Sequence, residues 1–349
     1  MADRIEENDI QEGTRMAWHD KTHVREFIAL DDNNLTRWDV EPTPVYIHGD
    51  GDGITSPEYV QLEAAQLLAT DNKQVIGLPY NPATYTPLTN ARFLQLVRDA
   101  VKDIGYKVVS IGSVRNRGRT FVSLKVEGLD DVKAAGHTFE TFLNFGNSFD
   151  KSSDLWFNTS NKDTVCDNTF SMNMTDTQGK IAGRRAHTSG MIEDLPAISK
   201  LITLAVKAQA DFAKAYEGLA GTPTTQEIAE RVFAGFLVDP EAKSLTTRSK
   251  GTVSRLLELF HIGKGSKGET RADMFNAATD YYTHEGSGKR AKLVSQFQSS
   301  EFGYGAERKR EFLATLTNED LFVKVYTRGA QLIADAEAEQ NAGMTTSGS

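Results

Sequence analysis

The chain has 349 residues, enough for one large domain or two of ordinary size. Its composition, 39% hydrophobic and 25% charged, is that of a globular protein and excludes wholesale disorder. The formal charge of −9 argues against a protein that coats duplex DNA with a uniformly basic surface.

The cysteine content and the hydropathy pattern predict the compartment. Cys166 is the single cysteine, which excludes an internal disulfide framework and favours a reducing cytosol. The first residues are polar and acidic where a signal peptide needs a basic start, and no run of about 18 apolar residues occurs. We therefore expect a cytoplasmic protein that does not bind membranes.

Most of the acidity lies at the N-terminal end. Residues 1–100 carry 8 Lys and Arg against 17 Asp and Glu. Residues 1–43 are polar, and we expect a partly ordered acidic arm with one anchoring patch at residues 16–19. His19 and His23 lie four positions apart, but no His-Glu-x-x-His pattern surrounds them, so a metal pair is not predicted.

Residues 44–190 predict a β-rich α+β domain. The spacing of Tyr59, Leu62 and Ala65 indicates a helix, while short apolar runs on either side indicate strands. The predicted elements are strands at 45–47 and 74–77 and helices at 57–69 and 90–104. Aromatic-rich β pieces continue over residues 137–188.

A β-hairpin is the clearest short-range signal. Residues 107–114 and 119–126 both alternate between apolar and polar side chains, and residues 115–118 supply the turn. The sequence therefore predicts two antiparallel strands here.

Residues 191–338 predict a helical region, which makes the fold class α+β with a helical C-terminal half. Apolar residues recur at helical spacing from Ile192, and Thr224 with Glu227 fits a capping box at the start of a further helix. More helices are expected at 245–261, 270–283, 306–316 and 318–338. Residues 339–349 should form a disordered tail.

Three glycine-rich segments resemble ligand loops without meeting their spacing. Residues 49–53 resemble a calcium loop, but Ile54 occupies the next ligand position, so a turn is predicted. Residues 263–268 and 286–290 lack the upstream glycine of a phosphate loop and are read as flexible basic loops. The sequence thus predicts no cofactor and no metal, and Cys166 is read as a buried structural thiol.

The basic residues concentrate in the hairpin. Residues 105–126 carry a local charge of +5 with no Asp or Glu. Three arginines at a hairpin tip repel one another unless an anion is near, and backbone phosphates meet that need through bidentate contacts. The alternative is a solvated hairpin tip that the acidic arm balances.

A second acid-free stretch runs over residues 180–192. If the strand near 180–188 pairs beside the hairpin, both stretches line one groove, in which Phe121, Phe145 or Trp156 offers a stacking face for bases. The candidate nucleic-acid-binding residues are Lys107, Arg115, Arg117, Arg119, Phe121, Lys125, Trp156, Lys180, Arg184 and Arg185.

Several short motifs carry a resemblance to a known family. The core signature lies at residues 143–150, 165–170 and 185–188, within which Asn-Ser-x-Asp and Cys-x-Asn-Thr are the more specific pieces. Four further pieces agree in order, at residues 17–19, 85–90, 276–284 and 302–305. On these motifs the chain resembles a phage/plasmid-like protein family catalogued as domain of unknown function 932, over roughly residues 16–316. The family-signature residues are Asn147, Ser148, Asp150, Cys166, Asn168, Thr169, His187 and Thr188.

The resemblance implies residence on mobile elements and a cytoplasmic role, but no reaction. The chain departs from the family pattern at Phe149, where the family commonly shows His, and at Asp167 beside Cys166. These departures weaken any catalytic role for the position of Phe149. The basic hairpin with a following helix is also similar to phage single-strand annealing proteins of the Rad52-like type, which is analogy at the level of the fold.

Three functions are consistent with these features. The first is a phage- or plasmid-encoded protein that binds single-stranded DNA, including a strand-annealing recombination protein, as a homo-oligomer alongside phage or host replication and recombination proteins. The second is a metal-dependent enzyme acting on nucleic acid through the polar residues Asn147, Asp150, Asp163, Asp167, Asn168 and His187. The third is a host-interaction or defence-evasion protein whose acidic first hundred residues mimic nucleic acid. A binding protein is favoured over an enzyme, and no catalytic residue is predicted.

Overall fold

The computed structural model describes residues 34–48, 59–163, 169–173, 184–191, 198–238, 244–263, 265–286, 296 and 298–346. Over these residues the fold is α+β, with strands in the N-terminal half and helices in the C-terminal half, as predicted. The chain divides into two compact units, each made of several segments. The first comprises residues 1–130, 141–160 and 172–208, and the second comprises residues 131–140, 161–171 and 209–349.

A three-stranded antiparallel sheet opens the first unit. It consists of β1 (Val40–His48), β2 (Tyr59–Ala69) and β3 (Val75–Tyr80) in the order β1-β2-β3. The strands predicted at 45–47 and 74–77 are confirmed. The helix predicted at 57–69 is wrong, because this segment is β2. Its outer half is exposed on both faces, so the apolar–polar alternation that identifies a strand is absent there.

Helix α1 (Asn90–Val101) follows the first sheet, and its N-cap residue is Thr89. The Thr89 side chain accepts a hydrogen bond from the Arg92 amide, and the Asp39 carboxylate accepts bonds from the amides of Asn90 at 2.7 Å and Ala91 at 3.0 Å. A carboxylate at this position satisfies unpaired amides and complements the helix dipole. The predicted helix at 90–104 is thereby confirmed.

The second sheet contains the predicted hairpin. Strands β4 (Tyr106–Val114) and β5 (Arg119–Val126) pair antiparallel around residues 115–118, as predicted. The further strands are β6 (Val132–Ala134), β7 (His137–Ser148), β8 (Leu155–Asp163), β9 (Thr169–Asn173) and β10 (Arg184–Arg185). The order is β10-β8-β7-β5-β4, with β6 on β7 and β9 on β8.

The core of the first unit lies on one side of this sheet. Val122 and Leu124 of β5, and Leu143 and Phe145 of β7, are buried in one cluster with the apolar side of α1. Phe145 and Phe157 meet edge to face with ring centroids 5.2 Å apart. Burying a side chain of this size stabilises the fold by about 2 kcal/mol. Residues on the other side of the sheet, among them Phe121, Ser123 and Asn144, are buried as well.

The helices that follow β10 are confirmed where they were predicted. They are α2 (Ile198–Ala220), α3 (Gln226–Leu237), α4 (Thr247–Ile262), α5 (Arg271–His284), α6 (Tyr304–Thr317) and α7 (Glu319–Thr346), with a π-helical turn at Gln298–Phe302. None of the described helices is long and apolar enough to span a membrane. Helix α7 continues to Thr346, past the predicted end of the helical region at residue 338.

The capping residue of α3 differs from the prediction. Thr225, and not Thr224, accepts the hydrogen bond from the Ile228 amide. Both threonines precede the helix, and the sequence pattern alone favours the one that lies three residues before Glu227. A complete capping box occurs instead at α5, where Thr270 and Asp273 bond each other's backbone amides.

Several sequence predictions lie outside the described residues. They concern the acidic arm up to residue 33 with its patch at 16–19 and the pair His19 and His23, the glycine-rich turn at 49–53, most of the segment at 286–290, and Cys166.

Candidate nucleic-acid interface

One face of the second sheet carries basic side chains. Side chains alternate between the two faces of a strand, so the strand register decides which residues share a face. Lys107 on β4 lies directly opposite Lys125 on β5, and Arg184 on β10 lies directly opposite Trp156 on β8. We call this surface the cationic face. Its members are Lys107, Arg119, Phe121, Ser123, Lys125, Asn144, Gly146, Trp156, Asn158 and Arg184.

Acidic residues on the strands of the cationic face are Glu140 on β7 and Asp163 on β8. Glu140 forms an ion pair with Lys162 of β8 at 3.7 Å, and β4, β5 and β10 carry neither Asp nor Glu. Lys107 and Arg184 are exposed, and Lys125 and Trp156 are partly exposed. Lys107 and Lys125 from one acid-free stretch and Arg184 from the other lie on one side of one sheet. The strand near residue 184 does not pair beside the hairpin as predicted, because β7 and β8 lie between β10 and β5.

Aromatic side chains occupy the middle row of this face, and one of them is accessible. Phe121 lies opposite Gly146, and the Trp156 indole lies over Gly146, where an added Cβ would come within 2.1 Å of an indole carbon. Phe121 is only 3% exposed, so its ring has no side open to a base. The predicted stacking role of Phe121 is therefore corrected, and Trp156 is the remaining stacking candidate.

A chain of polar side chains crosses the same face. The Ser123 hydroxyl donates to Asn144 Oδ1 at 2.5 Å, and Asn144 Nδ2 donates to Asn158 Oδ1 at 2.9 Å and to Ser160 Oγ at 3.0 Å. The Asn144 side chain is thus satisfied within the sheet, as a buried amide must be. These contacts fix the middle strands of the cationic face against one another.

At the hairpin tip, Arg117 does not belong to an open binding surface. Its guanidinium bonds both carboxylate oxygens of Asp71, at 2.7 and 3.1 Å, and lies 4.6 Å from the centre of the Trp38 ring. The residue is only 3% exposed. The hydrogen bonds from Arg117 lower the pKa of Asp71 below its ordinary value. The predicted phosphate contact of Arg117 is therefore corrected.

Arg115 and Arg119 also have partners within the chain. Arg115 Nε lies 2.9 Å from Asp150 Oδ2, and Arg119 donates to the hydroxyl of Ser152 at 2.7 Å and to its carbonyl oxygen at 2.8 Å. Burial and the nearby charge of Arg115 lower the pKa of Arg119. The anions that the three arginines require are thus supplied internally, by Asp71 and Asp150.

The turn that carries these arginines has an unusual backbone. Arg115, Asn116 and Arg117 all have positive φ, between 53° and 67°, which costs about 1–2 kcal/mol for each such residue. The Gly118 carbonyl accepts the amide of Phe149 at 2.8 Å and that of Asp150 at 3.2 Å. The segment after β7 therefore holds the turn in this conformation.

The family-signature residues after β7 fix the backbone. The Asn147 amide nitrogen donates to the Leu88 carbonyl at 2.8 Å, and the Tyr85 hydroxyl donates to the Ser148 carbonyl at 2.9 Å. Asp150 Oδ1 accepts the Ser152 amide at 3.0 Å. These contacts join the segment before α1, the turn after β7 and the hairpin tip. The arrangement favours a structural role for Asn147, Ser148 and Asp150.

His187 belongs to the same assembly. It is buried, its ring lies 5.1 Å from that of Tyr85, and its carbonyl accepts the Thr86 amide at 2.9 Å. Burial lowers the pKa of His187, against the opposing effect of Asp154. The neighbouring Thr188 is exposed and forms a turn in which its carbonyl accepts the Met191 amide.

Other predicted residues lie elsewhere or are not described. Arg185 pairs opposite Leu155 and therefore points to the side away from Trp156, and its guanidinium donates to the Arg184 carbonyl at 2.6 Å. Lys180, Cys166 and Asn168 lie outside the described residues, and only the backbone of Thr169 is described, as the start of β9.

The second unit contains a buried polar cluster that the sequence reasoning missed. Lys309 on α6 is fully buried, and its ammonium donates to Ser300 Oγ at 2.9 Å and to Thr283 Oγ1 at 3.3 Å. Burial lowers the pKa of Lys309 to about 8, although the Glu301 carboxylate acts in the opposite direction. The available signal was the spacing of Asn276, Thr279, Asp280 and Thr283, which places four buried polar side chains on one side of α5.

Four residues of the enzyme hypothesis lie within the described part of the chain, and each has a structural contact there: Asn147, Asp150, Asp163 and His187. Asp163 bonds His137 at 2.7 Å, and this contact raises the pKa of His137. Among the described residues, no group of three or more His, Cys, Asp and Glu side chains is arranged to hold a metal ion. Asp167 and Asn168 are not described.

Comparison with known proteins places the chain in a family. A family model described as "Domain of unknown function (DUF932)" matches residues 81–312. The chain belongs to this family. The match covers the hairpin, the cationic face and the cluster around Lys309, so these features lie within the family's own domain. Neither the curated proteins nor the solved structures contain a match.

Proposed function

We propose that this DUF932 protein binds single-stranded nucleic acid on its cationic face, as a phage or plasmid protein in the cytoplasm of the host cell. The observation that carries the proposal is that Lys107, Lys125 and Arg184 lie on the same side of one sheet as Trp156, in a chain of charge −9. Phosphates are the anions that such a surface selects, because Lys and Arg release counterions when they bind them.

The spacing of the cations suits an extended strand. From β4 to β10 the sheet spans four inter-strand steps of about 4.8 Å, or about 19 Å. An unpaired strand of a few nucleotides covers that distance. Trp156 would stack on one base, which contributes about 1–3 kcal/mol without selecting a sequence. A duplex offers no unpaired base for this contact, so the proposal is specific to single strands.

Fluorescence anisotropy with a labelled single-stranded oligonucleotide tests the proposal. We expect binding that weakens as salt increases. In the variant Lys107→Ala/Lys125→Ala/Arg184→Ala the slope of log affinity against log salt should fall by about 2, since each phosphate contact on a single strand contributes about 0.7. The matched control is Lys133→Ala/Lys214→Ala/Lys324→Ala, which removes three exposed lysines elsewhere.

Two results would contradict the proposal. One is the absence of binding at low salt, and the other is an equal loss in the control variant. A strand-annealing role in recombination, the more specific form of the proposal, requires in addition that the protein accelerates pairing of two complementary oligonucleotides. Binding without acceleration would limit the function to strand protection.

A further inference from the structure

The segment that carries Arg184 is attached to the first unit at few points. Strand β10 adds only two residue pairs to the edge of its sheet. Of residues 184–191, only His187 and Met191 are buried. The His187 carbonyl accepts the Thr86 amide at 2.9 Å, which joins the segment to the loop before α1. A short edge strand with few buried contacts opens at a low cost in free energy, so the position of the segment depends on its two buried side chains.

The His187 imidazole is buried without hydrogen bonds. The residue is only 6% exposed, and neither ring nitrogen forms a hydrogen bond within the part of the chain that the structure describes. Buried polar atoms are normally paired, because an unpaired donor or acceptor loses its bonds to water without replacing them. Water would satisfy both nitrogens if the segment opened. The two unpaired nitrogens therefore offset part of what the burial of this ring contributes.

The groups around His187 stabilise a charged imidazole less than burial destabilises it. The ring of Tyr85 lies 5.1 Å away, and its hydroxyl donates to the Ser148 carbonyl. The exposed Asp154 and the Thr86 backbone favour the charged form, but burial has the larger effect and lowers the pKa of His187. The other charged groups are Asp150 and Lys151 beside Tyr85, and Arg184 and Arg185 on the segment itself.

The sign of the pH dependence follows from this pKa. In an open segment the imidazole would titrate near its ordinary value of 6.5, whereas in the docked segment its pKa is lower. Below about pH 6.5 the open form therefore binds a proton that the docked form does not bind. Docking has its full strength above that pH and weakens as the pH falls.

We propose that protonation of His187 releases residues 184–191 from the loop before α1 and thereby removes Arg184 from the cationic face. Histidine suits this role because its ordinary titration lies near physiological pH. The protein holds all three exposed or partly exposed cations of the face at neutral pH and loses one of them in acid. The release of the segment is independent of the proposed function, whereas its effect on oligonucleotide binding rests on it.

Hydrogen exchange measured by mass spectrometry from about pH 5 to about pH 8 tests the release. After correction for intrinsic exchange rates, peptides that contain residues 85–90 and 184–191 should lose protection by up to about tenfold per pH unit below about pH 6.5. His187→Phe keeps a buried ring that cannot be protonated, so its protection should not depend on pH in this way. His261→Phe, which replaces an exposed histidine of α4, is the matched control and should behave as the wild type.

A second variant tests the release while the buried ring stays in place. Asp154→Asn removes the exposed carboxylate that favours the charged imidazole, so the docked form should bind a proton less readily still. The loss of protection should begin at the same pH as in the wild type and should become larger at low pH. Asp320→Asn removes an exposed carboxylate from α7 and should leave the loss unchanged. This comparison decides the matter if His187→Phe does not fold.

Oligonucleotide binding at about pH 7.5 and about pH 5.5 tests the effect on the cationic face. The slope of log affinity against log salt should fall by about 0.7 at the lower pH in the wild type, which is the loss of one phosphate contact on a single strand. The fall should be absent in His187→Phe, in which the other histidines still titrate.

Three results would overturn the inference. They are protection that does not fall in the wild type as the pH is lowered, an equal fall in folded His187→Phe, and release of the segment with an unchanged salt slope. Release without oligonucleotide binding at either pH removes the proposed function and supports the switch. Binding with constant protection removes the switch alone.

Discussion

The hairpin tip and the cationic face come from the same acid-free stretch of sequence, yet their cations have different surroundings. Arg117 at the tip is buried against Asp71 and Trp38, and Arg115 is paired with Asp150. Lys107 and Arg184 on the face are exposed and have no acidic neighbour on their strands. Local charge therefore does not indicate which cations can meet a ligand. The packing of distant segments decides it.

The largest expected effect concerns Lys309, the most deeply buried cation that the structure describes. Lys309→Met leaves the Glu301 carboxylate, which is only 5% exposed, without the ammonium. We expect a loss of about 3–5 kcal/mol in the free energy of unfolding, because breaking a buried pair leaves an uncompensated charge. Chemical denaturation measures it. The exposed Lys324→Met is the matched control and should stay within about 0.5 kcal/mol of wild type.

The double variant Lys309→Met/Glu301→Gln sharpens this result. Removing both charges should recover part of the lost stability, since the remaining groups are neutral. A double variant as unstable as Lys309→Met would show that the charge of Glu301 is not the cause.

The stability of the wild-type chain should also depend on pH through Lys309. The folded-state pKa is about 8, below the ordinary 10.5, so between these values the unfolded state binds more protons. The free energy of unfolding contributed by this group therefore rises from about pH 8 to about pH 10.5, and the cost of the buried charge is fully present below pH 8. Denaturation curves across this range should show the rise in wild type and not in Lys309→Met. An equal rise in both would contradict the assignment.

A smaller loss is expected at the hairpin tip. Arg117→Met removes two hydrogen bonds to Asp71 and the contact with Trp38, and we expect a loss of about 3 kcal/mol. Arg115→Ala breaks a half-exposed pair with Asp150 and should cost about 1 kcal/mol or less. Neither variant should reduce oligonucleotide affinity under conditions where it is folded. A binding loss in folded Arg117→Met as large as that of Lys107→Ala/Lys125→Ala/Arg184→Ala would restore the tip as part of the interface.

The sequence predicted those parts of the fold that depend on local pattern. The hairpin at 107–126 and α1 follow from alternation and helical spacing, which adjacent residues determine. The strand β2 was missed because a ribbon exposed on both faces has no alternation, and Tyr59, Leu62 and Ala65 happen to match helical spacing.

For the candidate interface, the sequence predicted where the positive charge is concentrated but not which cations have partners within the chain. Asp71 lies 46 residues from Arg117, and no local pattern indicates that the two meet. Lys309 was missed for a related reason, since a single lysine in an amphipathic helix is usually solvated. The sequence predicted a shared face only if the strand near residue 184 pairs beside the hairpin. β10 pairs with β8 instead, and Lys107 and Arg184 share a side of the sheet across the two intervening strands.

A last substitution separates the aromatic part of the face from its charges. In Gly146→Ala the new Cβ would lie 2.1 Å from an indole carbon, so Trp156 must move. We expect a stability loss of about 1–3 kcal/mol from overpacking, and a change in the part of the fluorescence that Trp156→Phe removes. Gly251→Ala, whose Cβ would enter open space, is the control.

Binding of the oligonucleotide by Gly146→Ala then distinguishes stacking from charge. Affinity should fall by about tenfold, the equivalent of about 1.4 kcal/mol, which lies within the contribution of one stacked base. The salt slope should stay that of wild type, because Lys107, Lys125 and Arg184 are unchanged. A reduced slope would mean that moving Trp156 also displaces the cations, and the aromatic row and the charges would then have to be treated as one unit.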